Sequence, residues 1–159
     1  MGPFDYNISP FGIKDTANTD VFVYGGDVMA LWYNAGNPYR LSADSLQTQG
    51  FFDIAGRGSR RMSAHSKVDP FTGELLFFDY GDEPPYLTYG VADAQGRLIK
   101  EVPIDLPGPR LPHDIGVSRH YTVLHDLPFF HDMNVLRRHH YRVLTFYRDM
   151  PIRFGVIPR

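Results

Sequence analysis

Residues 21–32 read VFVYGGDVMALW, two runs of strand-favouring residues on either side of a glycine turn. β-Branched and aromatic side chains favour strands, and adjacent glycines supply the positive φ angles of a tight hairpin turn. The stretch therefore predicts an antiparallel hairpin. The same arrangement of strand, turn and strand is predicted four more times, over residues 39–48, 62–80, 87–102 and 114–124.

The remaining segments are less regular. Residues 1–16 carry two prolines and no sustained hydrophobic period, which predicts an irregular lead-in. Residues 132–140 favour a short helix that Asp132 would cap, whereas residues 143–147 read equally well as a strand. Residues 153–159 resemble the start of another strand.

Five consecutive hairpins predict an all-β protein arranged as an up-and-down meander. Two hairpins supply four strands, the size of one propeller blade, so residues 1–159 have room for about two to three blades. A closed propeller needs at least about four blades. An incomplete β-propeller with unpaired sheet edges is therefore expected, and those edges predict self-association. A sandwich or barrel is the alternative.

The composition of the chain disfavours several classes of function. The chain has 159 residues with 16 Lys and Arg against 18 Asp and Glu, a formal net charge of −2 that disfavours a nucleic-acid partner. No window is long and apolar enough for a transmembrane helix, and a cytoplasmic location is predicted. The absence of cysteine excludes disulfides, thiolate metal sites and a cysteine nucleophile.

Seven histidines make a metal site the leading chemical hypothesis, since neutral imidazole suits iron, copper, zinc and nickel. His65 and His113 each stand beside a predicted strand edge, and they are separated by 48 positions, about one blade period. Successive blades would bring them near one axis, where they could share an ion. Solvated or packing roles are expected for His120, His139 and His140, and a weaker site role for His125 and His131.

Several motifs extend this interpretation because they resemble, in order, those of the carotenoid cleavage oxygenase family and its lignostilbene-dioxygenase-like branch. The matching segments cover nearly the whole chain from residue 14 onwards. They are residues 14–19, 25–26, 29–32, 38–39, 64–70, 72–75, 84–87, 89–91, 102–109, 113–114, 126–128 and 153–159.

The resemblance implies a seven-bladed β-propeller with a non-haem Fe(II) on its axis, held by four histidines of which three are oriented by glutamates. Such enzymes add O2 across a conjugated C=C bond and release two carbonyl products. His65 and His113 fall on the first two ligand positions. The chain resembles an internal third of such an enzyme, whose substrate would be a small apolar or phenolic conjugated molecule.

Two positions depart from the family pattern. Tyr33 stands where a ligand-orienting glutamate is usual, and Trp32 stands where stilbene-cleaving enzymes carry a lysine that engages the substrate hydroxyl. Both are candidates to line the metal site or the substrate pocket. A tyrosine supplies no carboxylate, so weak iron binding and an inactive isolated chain are expected.

Two other function classes stay open at this point. The chain could be a non-catalytic β module, including a truncated product with a vestigial site. It could also be a small metal hydrolase that uses His65, His113 and one of His125 or His131, with a metal-bound water as nucleophile. The sequence contains neither a G-x-S-x-G nor an H-E-x-x-H motif.

Overall fold

The computed structural model describes residues 16–33, 36–54, 61–140 and 142–159. In these ranges the chain is all-β apart from one short helix, and every strand pairing is antiparallel. The first sheet contains β1 (Asp20–Tyr24), β2 (Asp27–Leu31), β3 (Tyr39–Leu41) and β4 (Thr48–Phe51), in that order. The second contains β5 (Lys67–Val68), β6 (Leu75–Tyr80), β7 (Leu87–Ala92) and β8 (Leu98–Ile104), also in chain order.

A third, partial sheet follows. It begins with β9 (Gly116–Val117) and β10 (Tyr121–Asp126). The chain then leaves it through β11 (Phe129–His131), α1 (Met133–His139) and β12 (Leu144–Phe146), and returns with β13 (Arg153–Pro158). Strand β13 pairs with β10 to give the order β13-β10-β9, while β11 and β12 pair separately. Two complete four-stranded blades and part of a third confirm the predicted incomplete meander.

The Gly25–Gly26 pair forms the turn of the first hairpin, between β1 and β2. Gly25 and Gly26 have φ angles of +60° and +86°, so two residues suffice to pair Tyr24 with Asp27. A two-residue turn with both φ angles positive matches the twist of the flanking strands.

The second sheet is the middle layer of the described structure. On β6, Leu75 and Phe77 pack against the first sheet, whereas Leu76 and Phe78 pack towards the third. Successive side chains of a strand point to opposite faces, so a continuous apolar run buries both faces only between two other layers. The hydrophobic core therefore forms two slabs that hold the three sheets side by side.

The strand predicted over residues 62–67 is wrong, because β5 begins only at Lys67. The preceding residues form a loop whose amides bond elsewhere: Ser63 N donates to the Phe78 carbonyl at 2.8 Å, and Ala64 N to the Trp32 carbonyl at 3.1 Å. His65 has a φ of +64°, which breaks the extended conformation. Likewise β9 begins at Gly116 rather than at residue 114, and β4 begins at Thr48 after a longer turn than predicted.

Both interpretations of the ambiguous region are correct for different residues. Asp132 caps α1 by accepting from the Asn134 and Val135 amides, and β12 follows the helix. The predicted terminal strand is β13. The irregular lead-in lies outside the described residues except for Thr16. None of the helices described is long and apolar enough to cross a membrane.

The two outer sheets leave apolar faces uncovered. Val21 and Val23 on β1 are more than half exposed, as are Phe154 and Val156 on β13. In each pair the side chains are two positions apart and share a face of the sheet. Among the described residues, no strand pairs with the outer side of β4 or β8, so these strands are free edges, as predicted.

Candidate metal centre

His65 lies in the loop that connects the first sheet to the second. Its amide donates to Asp20 Oδ2 at 3.0 Å, and its Nδ1 lies 3.6 Å from the same oxygen. Asp20 is the first residue of β1, so the neighbouring sheet supplies a carboxylate to this loop. A non-glycine residue at positive φ is uncommon, and such conformations concentrate at functional sites.

His113 lies in the loop before β9, and its ring meets that of His65. The ring centroids are 4.8 Å apart with an interplanar angle of 58°. The His65 side chain is about a quarter exposed, and His113 is exposed, so the pair opens to solvent on one side. The expected meeting of the two imidazoles is present, and their role as metal ligands stays a prediction.

An ion pair ties the two histidine loops together. Lys67 Nζ, two residues after His65, lies 2.7 Å from Oδ1 of Asp114, the residue after His113. Partial burial raises the pKa of the Asp114 carboxyl, but the hydrogen bonds from Lys67 and the Ile115 amide outweigh burial and leave that pKa below its ordinary value. The carboxylate therefore stays charged and holds the second loop against β5.

Tyr33 lies next to His113, with ring centroids 5.9 Å apart, and the Trp32 ring lies 5.6 Å from that of Tyr33. The Tyr33 carbonyl accepts hydrogen bonds from Ser63 Oγ at 2.8 Å and from the Tyr80 hydroxyl. Burial raises the pKa of Tyr80, so this hydroxyl remains a donor. The backbone of position 33 is thus anchored, and its side chain faces the histidine without a carboxylate.

Of the other histidines, His125 lies near enough to His113 and Asp114 for their charges to act on its imidazole. His120 is exposed in the turn before β10, and His139 and His140 are exposed at the end of α1, in agreement with the solvated roles expected for them. His125 Nδ1 and both ring nitrogens of His131 are buried without a hydrogen-bond partner. Among the residues that the structure describes, no cluster of three or more His, Cys, Asp or Glu could hold a metal.

The donors present fit two positions of an iron centre. Imidazole is a suitable ligand for Fe(II), and metal-bound histidines usually have a carboxylate, carbonyl or water at their other nitrogen. Asp20 supplies such a carboxylate near His65. No sequence pattern indicates this role, since an aspartate at the start of a strand is ordinarily a solvated or turn residue.

Comparison with known proteins defines the class. A family model described as retinal pigment epithelial membrane protein matches residues 2–159. The chain belongs to that family, the carotenoid oxygenases, and its three sheets match part of the β-propeller fold of a solved member.

Three similar proteins illustrate the match. Carotenoid 9,10(9',10')-cleavage dioxygenase 1 of Phaseolus vulgaris is 35% identical over 147 residues, which are 91% of this chain and 27% of that protein. Isoeugenol monooxygenase of Pseudomonas nitroreducens is 30% identical over 162 residues, 99% of this chain and 34% of that protein. The crystal structure of Pseudomonas brassicacearum lignostilbene dioxygenase superposes with a TM-score of 0.80 at 31% identity, covering 92% of this chain and 31% of that one.

The chain thus spans between about a quarter and a third of these relatives. The family resemblance and the propeller fold inferred from the sequence are confirmed. The comparisons support neither the non-catalytic module nor the metal hydrolase.

Proposed function

We propose that this chain forms part of a non-haem Fe(II) dioxygenase that cleaves a conjugated C=C bond of a carotenoid, an apocarotenoid or a stilbene-type substrate. Both atoms of O2 enter the products, one on each alkene carbon, and the double bond is replaced by two carbonyl groups. Support comes from family membership and from the names of two similar proteins, a carotenoid 9,10(9',10')-cleavage dioxygenase and a lignostilbene dioxygenase.

The observation that carries the proposal is the approach of His65 and His113. Two loops from different sheets present their imidazoles 4.8 Å apart between ring centroids, a spacing that suits two neighbouring ligands of one ion. His65 and His113 would hold the iron, whose chemistry is the binding and activation of O2. Asp20 and the Lys67–Asp114 pair hold the two loops in place.

The substrate is proposed to be small, conjugated, and apolar or phenolic. Trp32 and Tyr33 stack edge to face beside His113, and such rings favour contact with a planar unsaturated chain. Trp32 cannot form the ion pair or charged hydrogen bond that a lysine offers to a phenol. Position 32 is therefore not proposed to recognise the hydroxyl group of a 4-hydroxystilbene.

The isolated chain is expected to be inactive, since two ligands leave most coordination positions to water. The open sheet edges and apolar outer faces support self-association of the chain. A cytoplasmic location stays a prediction, and no nucleic-acid partner is proposed.

The test is a transplant of this chain into the lignostilbene dioxygenase of Pseudomonas brassicacearum in place of the matching segment. We expect the hybrid to bind iron and to cleave a conjugated alkene substrate with label from 18O2 in both carbonyl products. His65→Ala and His113→Ala should each abolish cleavage, whereas His120→Ala, on an exposed turn, should not.

Two results would contradict the proposal. One is an iron-loaded, folded hybrid that keeps its cleavage activity after either histidine is replaced. The other is alkene cleavage by the isolated 159-residue chain, which would show that the two-ligand account of the site is wrong.

A further inference from the structure

We infer that Asp20 is a positioning residue for His65, and that its carboxylate reaches the His65 ring from the neighbouring strand β1. This inference deepens the proposed function and rests on His65 being a metal ligand. It concerns an aspartate that lies 45 positions before the histidine in sequence and belongs to a different sheet.

One Asp20 oxygen faces both the backbone and the ring of His65. Oδ2 accepts the His65 amide at 3.0 Å and lies 3.6 Å from Nδ1, while Oδ1 accepts the Val21 amide at 2.8 Å. The carboxylate is therefore fixed at its own strand before it meets the loop. The contact at 3.6 Å is electrostatic, since it exceeds an ordinary hydrogen-bond length.

The hydrogen bond from the His65 amide to Asp20 holds the loop in a strained conformation. His65 has a φ of +64°, a conformation that costs a non-glycine residue free energy and persists only where its surroundings enforce it. The Asp20 bond to the His65 amide, together with the Ala64 bond to the Trp32 carbonyl, fixes the loop against the first sheet.

The ring contact selects the nitrogen that remains available for a metal. A carboxylate beside Nδ1 favours the tautomer in which Nδ1 carries the proton, so that Nε2 keeps its lone pair. The carboxylate that acts on His65 comes from Asp20. It does not replace the one missing at position 33, because Tyr33 lies beside the other imidazole, His113.

The alternative is that Asp20 only caps the His65 backbone and has no influence on the imidazole ring. The Asp20→Asn variant separates the two roles. Its side-chain amide oxygen can still accept a hydrogen bond from the His65 amide, but it places no negative charge beside Nδ1. Glutamate restores the charge. Asp27→Asn is the matched control, since Asp27 starts the other strand of the same hairpin and pairs with Arg40 at 3.4 Å.

The experiment uses the full 159-residue chain labelled with 15N at about pH 8, well above the ordinary pKa of histidine. Long-range 1H–15N spectra report the His65 tautomer without metal, and Co2+ alone is then titrated against the His65 and His113 ring signals. We expect the Nδ1–H tautomer in the unaltered chain and its loss in Asp20→Asn. Co2+ affinity should fall about tenfold in Asp20→Asn, recover in Asp20→Glu and stay unchanged in Asp27→Asn.

Asp20→Ala should in addition move the His65 amide resonance, because the backbone bond is lost. An Asp20→Asn chain with the original tautomer and Co2+ affinity would overturn the inference and leave Asp20 as a backbone cap. If the unaltered chain binds no Co2+, the proposed metal function loses support, while the metal-free tautomer still decides the role of Asp20.

Discussion

Arg110 and Asp126 form a buried ion pair in which Nε lies 2.7 Å from Oδ1 and both side chains are 7% exposed. Arg110 belongs to the loop that leads to His113, and Asp126 ends β10. Arg153 of β13 binds the other carboxylate oxygen at 2.5 Å and is 54% exposed. The Arg110 guanidinium also lies 4.4 Å from the centre of the Phe130 ring. This pair fixes the His113 loop to the third sheet.

Replacing Asp126 by alanine should lower the free energy of unfolding by about 3–5 kcal/mol, because it leaves the buried Arg110 charge unpaired. Urea unfolding measures the loss. Arg153→Ala is the control and should cost at most about 1 kcal/mol, since Arg153 is largely solvated. Equal losses in the two variants would show that burial does not set the strength of the pair.

Gly90 is predicted to tolerate no side chain. A Cβ atom built at this position would lie 2.2 Å from Phe77 Cζ, and Phe77 is fully buried between the first two sheets. Gly90→Ala should therefore destabilise the chain by about 1–3 kcal/mol or more. Gly155→Ala on β13 meets nothing within 4 Å and serves as the control in the same thermal unfolding experiment. Adding Phe77→Leu to Gly90→Ala should restore part of the loss.

Stability should depend on pH through His131. Burial and the charge of Arg142 lower the pKa of this imidazole, with Asp82 opposing them. In the unfolded chain the pKa of a histidine is about 6.5, so between this pKa and the lower pKa of His131 in the folded chain the unfolded state binds more protons. The contribution of His131 to stability is therefore complete above about pH 6.5 and is lost as the pH falls below it.

The measurement is the free energy of unfolding in urea across this pH range, alongside an NMR titration of the His131 ring. His131→Gln should flatten the dependence. A His131 resonance that titrates at the ordinary histidine value would contradict the prediction.

Tyr33→Glu should strengthen iron binding. The Tyr33 side chain faces His113, and its carbonyl is already anchored by Ser63 and Tyr80, so the substitution places a carboxylate beside the second imidazole. An increase of about tenfold or more in affinity is expected, measured by iron titration of the hybrid dioxygenase. Tyr33→Gln, which has the same length as glutamate but no charge, should give a smaller effect. Equal affinities for the Glu and Gln variants would argue against a carboxylate role at this position.

The apolar outer faces should drive self-association of the isolated chain. Phe154 and Val156 lie on the free face of β13, so Phe154→Glu with Val156→Glu should shift the chain towards monomer in sedimentation experiments. Phe71→Glu is the control, because Phe71 is 96% exposed in the turn between β5 and β6. A monomeric unaltered chain would contradict this prediction.

Local chemistry made most of the fold predictable. The Gly25–Gly26 turn, the Asp132 cap and the apolar run of β6 act over a few neighbouring residues, and each produced the element expected of it. The composition of residues 62–66 predicts a strand, but these residues form a loop because their amides bond to backbone outside the segment. Backbone pairing over long sequence distances is not encoded in the composition of one segment.

The sequence by itself determined the hairpin meander, the incomplete propeller, and His65 and His113 as the histidines to examine, through turn residues, periodicity and family resemblance. Only the tertiary structure decided that the two rings meet, that Tyr33 faces His113, and that Asp20 lies against His65. These contacts join residues 45 to 80 positions apart, and they form because two layers of hydrophobic core, one on each face of the second sheet, pack the three sheets together. Docking fixes the loops at one end of the sheets, and no local propensity specifies it.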